Sequence, residues 1–152
     1  MVYNYCVEYS YTKKQKFNIL IVDDDTNSSD LFKEILESRG HNVTTLDEGV
    51  KCISKCLNNY FDIIFLDYHI GDIDGVELAD CLKDVLKTKS TIYAYTGDNN
   101  QHTIDKFKNI GMSGVFIKPL NINNINNILT NLENKKINSK PDEFVIVNNY
   151  PL

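Results

Sequence analysis

Apolar runs and polar breaks alternate regularly between residues 17 and 134. Five short runs have the composition of strands, at residues 17–22, 41–46, 62–66, 91–95 and 114–117. After each, apolar residues recur at the three- and four-residue spacing of a helix. The first stripe is Leu31, Phe32, Ile35 and Leu36, stopped by Gly40, with the polar run Thr26, Asn27, Ser28 and Ser29 suited to cap it. The second places Val50, Ile53 and Leu57 on one face, the third covers residues 76–86, and a weaker fourth covers 101–109 and stops at Gly111. The last carries Ile122, Ile125, Ile128, Leu129 and Leu132. Five strand–helix units in this order predict a doubly wound α/β fold, a five-stranded parallel sheet with helices on both faces.

Tails flank this unit, which divides the chain into an N-terminal extension (1–16), a core domain (17–134) and a C-terminal tail (135–152). In the first tail Tyr3, Tyr5, Val7, Tyr9 and Tyr11 alternate with Asn4, Cys6, Glu8 and Ser10, the period of a half-exposed strand, with a disordered leader as the alternative. Lys13, Lys14 and Lys16 then read as a solvated hinge. In the second tail Phe144, Val145, Ile146 and Val147 have the composition of a sixth strand.

Composition narrows the class. With 152 residues, 42% hydrophobic and 24% charged, the chain is of single-domain size and ordinary globular makeup. A net charge of −5 with dispersed lysines gives no footprint for nucleic acid. No apolar run approaches the length that spans a bilayer and no signal-peptide core is visible, so a cytoplasmic protein without membrane contact is expected. The four cysteines and three histidines lack the spacing of a zinc site and read as free thiols and ordinary histidines.

The run Ile63, Ile64, Phe65 and Leu66 suits a strand covered on both faces, and it ends abruptly in Asp67. The other strands also end in polar residues: Asp23 and Asp24 after the first, Thr96 after the fourth, Lys118 after the fifth. A parallel sheet delivers all of them to its carboxyl edge, where open α/β folds place their chemistry. Two carboxylates ~4 Å apart repel by roughly 4 kcal/mol at an effective dielectric of 20, so three need counter-cations. Lys118 supplies one charge. Oxygen ligands with open positions suit Mg²⁺, and a phosphoryl group could then meet Asp67 as nucleophile.

These motifs, ILIVDDD at 19–25, FLDYHIGDIDG at 65–75, YTGD at 95–98 and IKP at 117–119, resemble the receiver domain of response regulators. The resemblance implies strand order 2-1-3-4-5, the flavodoxin-like arrangement, and a cis Lys118–Pro119 bond. It implies Asp67 as phospho-acceptor, Thr96 as the switch hydroxyl and Lys118 as the partner of the phosphoryl group. It further implies Mg²⁺ held by Asp23, Asp24, Asp67 and the backbone carbonyl of His69. The implied partners are a sensor histidine kinase or histidine phosphotransfer protein upstream and a protein contact downstream, with slow autodephosphorylation in place of enzymatic turnover.

Two positions depart from the family pattern. Gly71 stands where proline is common, and Val115 stands where an aromatic residue usually precedes the lysine by three. Two rival readings stand beside it. One is a receiver-fold scaffold acting without phosphorylation, against which the complete set Asp23, Asp24, Asp67, Thr96 and Lys118 argues. The other is a Mg²⁺-dependent phosphohydrolase, which would carry a second aspartate two residues after the nucleophile, where His69 stands.

Overall fold

A computed structural model describes residues 15–134 and 144–147. The first strand, β1 (Asn18–Val22), is followed by α1 (Thr26–Ser38), β2 (Asn42–Leu46), α2 (Gly49–Asn58) and β3 (Ile63–Leu66). A two-residue pair, β4 (His69–Ile70) and β5 (Ile73–Asp74), then leads into α3 (Gly75–Asp80), which runs on as a π-helical turn over Cys81–Val85. The remainder is β6 (Thr91–Thr96), α4 (Gln101–Asn109), β7 (Gly114–Ile117), α5 (Ile122–Asn134) and β8 (Val145–Val147). The main sheet has the order β2-β1-β3-β6-β7-β8, every pairing parallel. The expected five-strand order is therefore present, and the sixth strand of the C-terminal tail extends it beyond β7. The alternating stretch at residues 3–11 lies outside the described residues.

Side chains along each strand alternate between two cores. On one face Leu20, Val22, Ile64, Leu66, Ile92, Ala94 and Val115 meet Cys52, Leu78, Leu82, Ile104 and Phe107 from α2, α3, its π-turn and α4. On the other, Ile19, Ile21, Phe65, Tyr93, Tyr95 and Phe116 meet Phe32 and Leu36 of α1 and Ile125 and Leu129 of α5. Both faces of the sheet are thus dry, which is why its strands read as continuous apolar runs.

Two local expectations need correction. The cap of α1 is Asp25, whose side chain accepts from the Ser28 amide (3.3 Å), so Thr26 to Ser29 form the first helical turn. In α2 the inward stripe is Gly49, Cys52 and Cys56, with Ile53 half-buried, while Val50 and Leu57 are 62% and 64% exposed. Small side chains suit a helix lying close to its neighbours, and cysteine fills that role as a compact hydrophobe. Gly40, the expected stop of α1, adopts a φ of +92°.

Candidate functional site

Hydrogen bonds continue one residue past the strands and fix the edge on which the polar side chains emerge. The amide of Asp23 donates to the Leu46 carbonyl (3.0 Å), that of Asp67 to Val22 (3.0 Å) and that of Lys118 to Thr96 (2.8 Å). The three residues are held at one level of the sheet, next to Thr96 at the end of β6.

The structure brings the predicted acidic residues together. One carboxylate oxygen from each of Asp23, Asp24 and Asp67 lies within 4.8 Å of the others. Asp23 and Asp67 are buried and Asp24 is exposed. The Lys118 ammonium donates to Asp23 Oδ2 at 2.7 Å and to Asp67 Oδ2 at 3.4 Å. Burial pushes the Asp67 carboxyl up to about 6, opposed by the charge of Lys118 and reinforced by Asp23 beside it. For Lys118, burial alone would lower the pKa, but the hydrogen bond to Asp23 and the charge of Asp67 leave it raised. Thr96 is buried, and its hydroxyl oxygen accepts from the Asp98 amide at 3.1 Å, which leaves the hydroxyl proton to be donated.

His69 is exposed, with its ring edge-on to Tyr68 at 4.5 Å, and its imidazole is not part of the acidic cluster. Gly75 closes the loop that follows Asp67: its amide donates to the Tyr68 carbonyl (2.9 Å), and a Cβ there would lie 2.2 Å from the Asp67 carbonyl oxygen. Lys118–Pro119 is cis, as the resemblance implied.

Two residues went unassigned in the sequence. The Tyr95 ring supports the Lys118 ammonium at 4.4 Å, and its hydroxyl meets Ser28 Oγ of α1 at 2.5 Å. Its place beside Thr96 at a strand end was the available signal. Asp72, in the loop after Asp67, bonds the first amides of α2, and no local pattern announces it. Val115 is fully buried and aliphatic, so the aromatic contact near the lysine comes from Tyr95 on the opposite face of the sheet.

Residues 19–130 match the family model of the response regulator receiver domain. The chain belongs to that family. This receiver domain is 30% identical to a two-component response regulator from Clostridium difficile of known structure, which it matches over 82% of its own length and all of that chain, with a TM-score of 0.73. It is 26% identical over 106 residues to the autoinducer 2 sensor kinase/phosphatase LuxQ of Vibrio vulnificus, and 27% identical over 129 residues to the transcription factor SKN7 of Candida albicans. Those alignments cover 70% and 84% of this chain but 12% and 23% of the relatives. Among the described residues, no helix is long and apolar enough to cross a membrane.

Proposed function

We propose that Asp67 accepts a phosphoryl group from a phosphohistidine on a sensor kinase or phosphotransfer protein, and that the phosphorylated domain signals by protein contact or passes the group onward. The observation that carries this reading is the cluster of three carboxylates, two of which share one half-buried lysine. Three negative charges against one positive leave an excess that a hard divalent cation would neutralise, and the donor atoms are all oxygens. The residues therefore fit Mg²⁺, with Asp23, Asp24, Asp67 and the His69 carbonyl as its holders. When bound, Mg²⁺ would supply positive charge to the oxygens of the incoming phosphoryl group.

The rest follows from the chain's own groups. A carboxylate oxygen of Asp67 attacks phosphorus, the phosphorus–nitrogen bond breaks, and its electron pair returns to the imidazole, which takes a proton from solvent. An acyl phosphate on Asp67 results. Only the ionised carboxylate attacks, and with a pKa of about 6 it is mostly ionised at neutral pH. Lys118 donates to Asp67 Oδ2 and would pair with the phosphoryl group, while Thr96 donates its hydroxyl proton to it. Slow hydrolysis of the acyl phosphate, rather than turnover of a substrate, ends the signal.

Incubation with Mg²⁺ and acetyl phosphate, followed by intact mass, tests this. One added phosphoryl group is expected, absent with EDTA and absent in Asp67→Ala. Residues 17–134 are taken as the reacting unit, so removal of residues 1–16 should leave the adduct intact. An unmodified mass under all conditions would refute the acceptor role, and steady phosphate release over many turnovers would point to a hydrolase.

A further inference from the structure

Helix α2 begins without a cap of its own. Glu48 occupies the N-cap position in extended conformation (φ −139°, ψ 143°), but its side chain makes no capping bond. The amides of the first turn are instead satisfied from across the fold. Gly49 N donates to Asp72 Oδ1 at 2.8 Å and Val50 N to Asp72 Oδ2 at 3.0 Å, one amide to each oxygen. These two bonds hold the Asp72 carboxyl below the ordinary carboxylate range. The contact is close, since a Cβ on Gly49 would fall 1.9 Å from Ile73 Cγ2.

Asp72 lies in the turn between β4 and β5, five residues after Asp67 and three after His69. The same turn faces the acidic cluster: the Cβ direction of Gly71 is 3.9 Å from Asp24 Oδ2. The φ of Gly71 lies outside the left-handed region, so this glycine is not there to relieve strain and leaves the turn without stiffness of its own. Rigidity comes from the two ends and the middle. Gly75 bonds Tyr68, Asp74 caps α3 through the Val76 amide (2.7 Å), and Asp72 grips α2.

We propose that Asp72 is a positioning residue for the phosphotransfer site, clamping the loop after Asp67 to the start of α2 and so restraining the His69 backbone, whose carbonyl the proposed function assigns to Mg²⁺. This rests on the receiver reading above. The clamp carries no reacting atom; it acts by restraining the loop that follows Asp67. Outer partners that orient metal ligands typically account for 10–100-fold in affinity, and Asp72 is placed at the lower end because it acts through the backbone.

The test separates positioning from simple helix capping. Mg²⁺ is titrated calorimetrically into the full chain, without phosphodonor, for the natural protein, for Asp72→Ala and for Asp72→Ala combined with Glu48→Asp. The added aspartate supplies α2 with a cap from its own N-cap position. Asp72→Ala is expected to weaken Mg²⁺ by about tenfold and to lower Tm. The double variant should regain Tm and keep the weakened Mg²⁺ binding. Unchanged Mg²⁺ affinity in either variant, or its recovery together with Tm, overturns the proposal and leaves Asp72 a remote cap. Absence of Mg²⁺ binding in the natural protein would overturn the receiver reading itself, and this inference with it.

Discussion

At each end of the sheet a buried carboxylate meets cationic side chains, and the two arrangements differ in how fully they are satisfied. At the amino edge Glu133 of α5 accepts from Arg39 Nε (3.0 Å) and Nη2 (2.9 Å) and pairs with His41 Nε2 (2.9 Å). His41 Nδ1 accepts from the Phe17 amide (3.1 Å), which assigns the proton to Nε2 and makes the imidazole a donor to Glu133. Arg39 also reaches Asn126 and Thr130. Every polar atom named there has a partner, and the network ties α5 to the segments that begin β1 and β2. At the carboxyl edge one ammonium serves Asp23 and Asp67 with Asp24 beside them, and negative charge remains in excess. The balanced cluster holds the fold together. The unbalanced one is held in place by the fold and keeps uncompensated negative charge, which the proposed function assigns to a cation and an incoming phosphoryl group.

The carboxyl pKa values move in opposite directions for this reason. Burial would raise Glu133, but the hydrogen bonds from Arg39 and His41 outweigh it and the group is lowered. For Asp67 burial wins and the group is raised. Glu133 thus adds stability that is present at neutral pH and fades as pH falls below about 4.5, through its depressed folded value. Asp67 binds its proton more tightly in the folded chain, so its contribution is most favourable below pH 3.8 and is lost as pH rises to about 6.

The largest effect expected from breaking this contrast is kinetic. Lys118→Ala should slow phosphorylation by acetyl phosphate by about 100-fold, since removing one preorganised charge from a reacting site costs about that much. Glu133→Ala should leave that rate within about twofold of the natural protein, measured below its Tm, because nothing at the amino edge touches the reaction. A comparable loss in both would mean the two ends are not separable.

Stability should show the reverse order. Glu133→Ala leaves Arg39 and His41 without their anion and should lower stability by about 3 kcal/mol, a fall of about 10 °C in Tm. Asp67→Asn removes the charge that burial disfavours and should raise stability by about 1–2 kcal/mol at pH 7. That gain should shrink toward pH 4, whereas the loss in Glu133→Ala should shrink only below about pH 4.5. Thermal melts of the three chains between pH 3 and pH 8 check both signs, and parallel curves would contradict them.

The smallest effect concerns the support under Lys118. Tyr95→Phe keeps the ring and removes the bond to Ser28, so a loss of about 1 kcal/mol is expected with phosphorylation nearly unchanged.

The sheet and the site were legible because both are written in local patterns. A strand covered on both faces must be an apolar run, and the residue that ends it must appear at the sheet's edge, so Asp23, Asp67, Thr96 and Lys118 could be placed from order alone. What stayed hidden depends on partners far away in sequence. Asp72 meets Gly49 and Val50 across 23 and 22 residues, and His41 meets Glu133 across 92. The buried stripe of α2 was misassigned because Val50 and Leu57 outrank Cys52 in apolar bulk, yet Cys52 is the side chain buried in the core while both larger ones are exposed. Hydropathy reports the preference of a side chain, and it carries no information on the depth of the gap it must fill.

The central claim is that Asp67, and no other residue, carries the phosphoryl group. Borohydride reduces an aspartyl phosphate to homoserine, so peptide sequencing by mass spectrometry after treatment with Mg²⁺, acetyl phosphate and borohydride reads the position directly. Homoserine at position 67 alone, dependent on both Mg²⁺ and donor, is the predicted result. Homoserine at Asp23, Asp24 or elsewhere, or none in a sample whose intact mass shows the adduct, would contradict it.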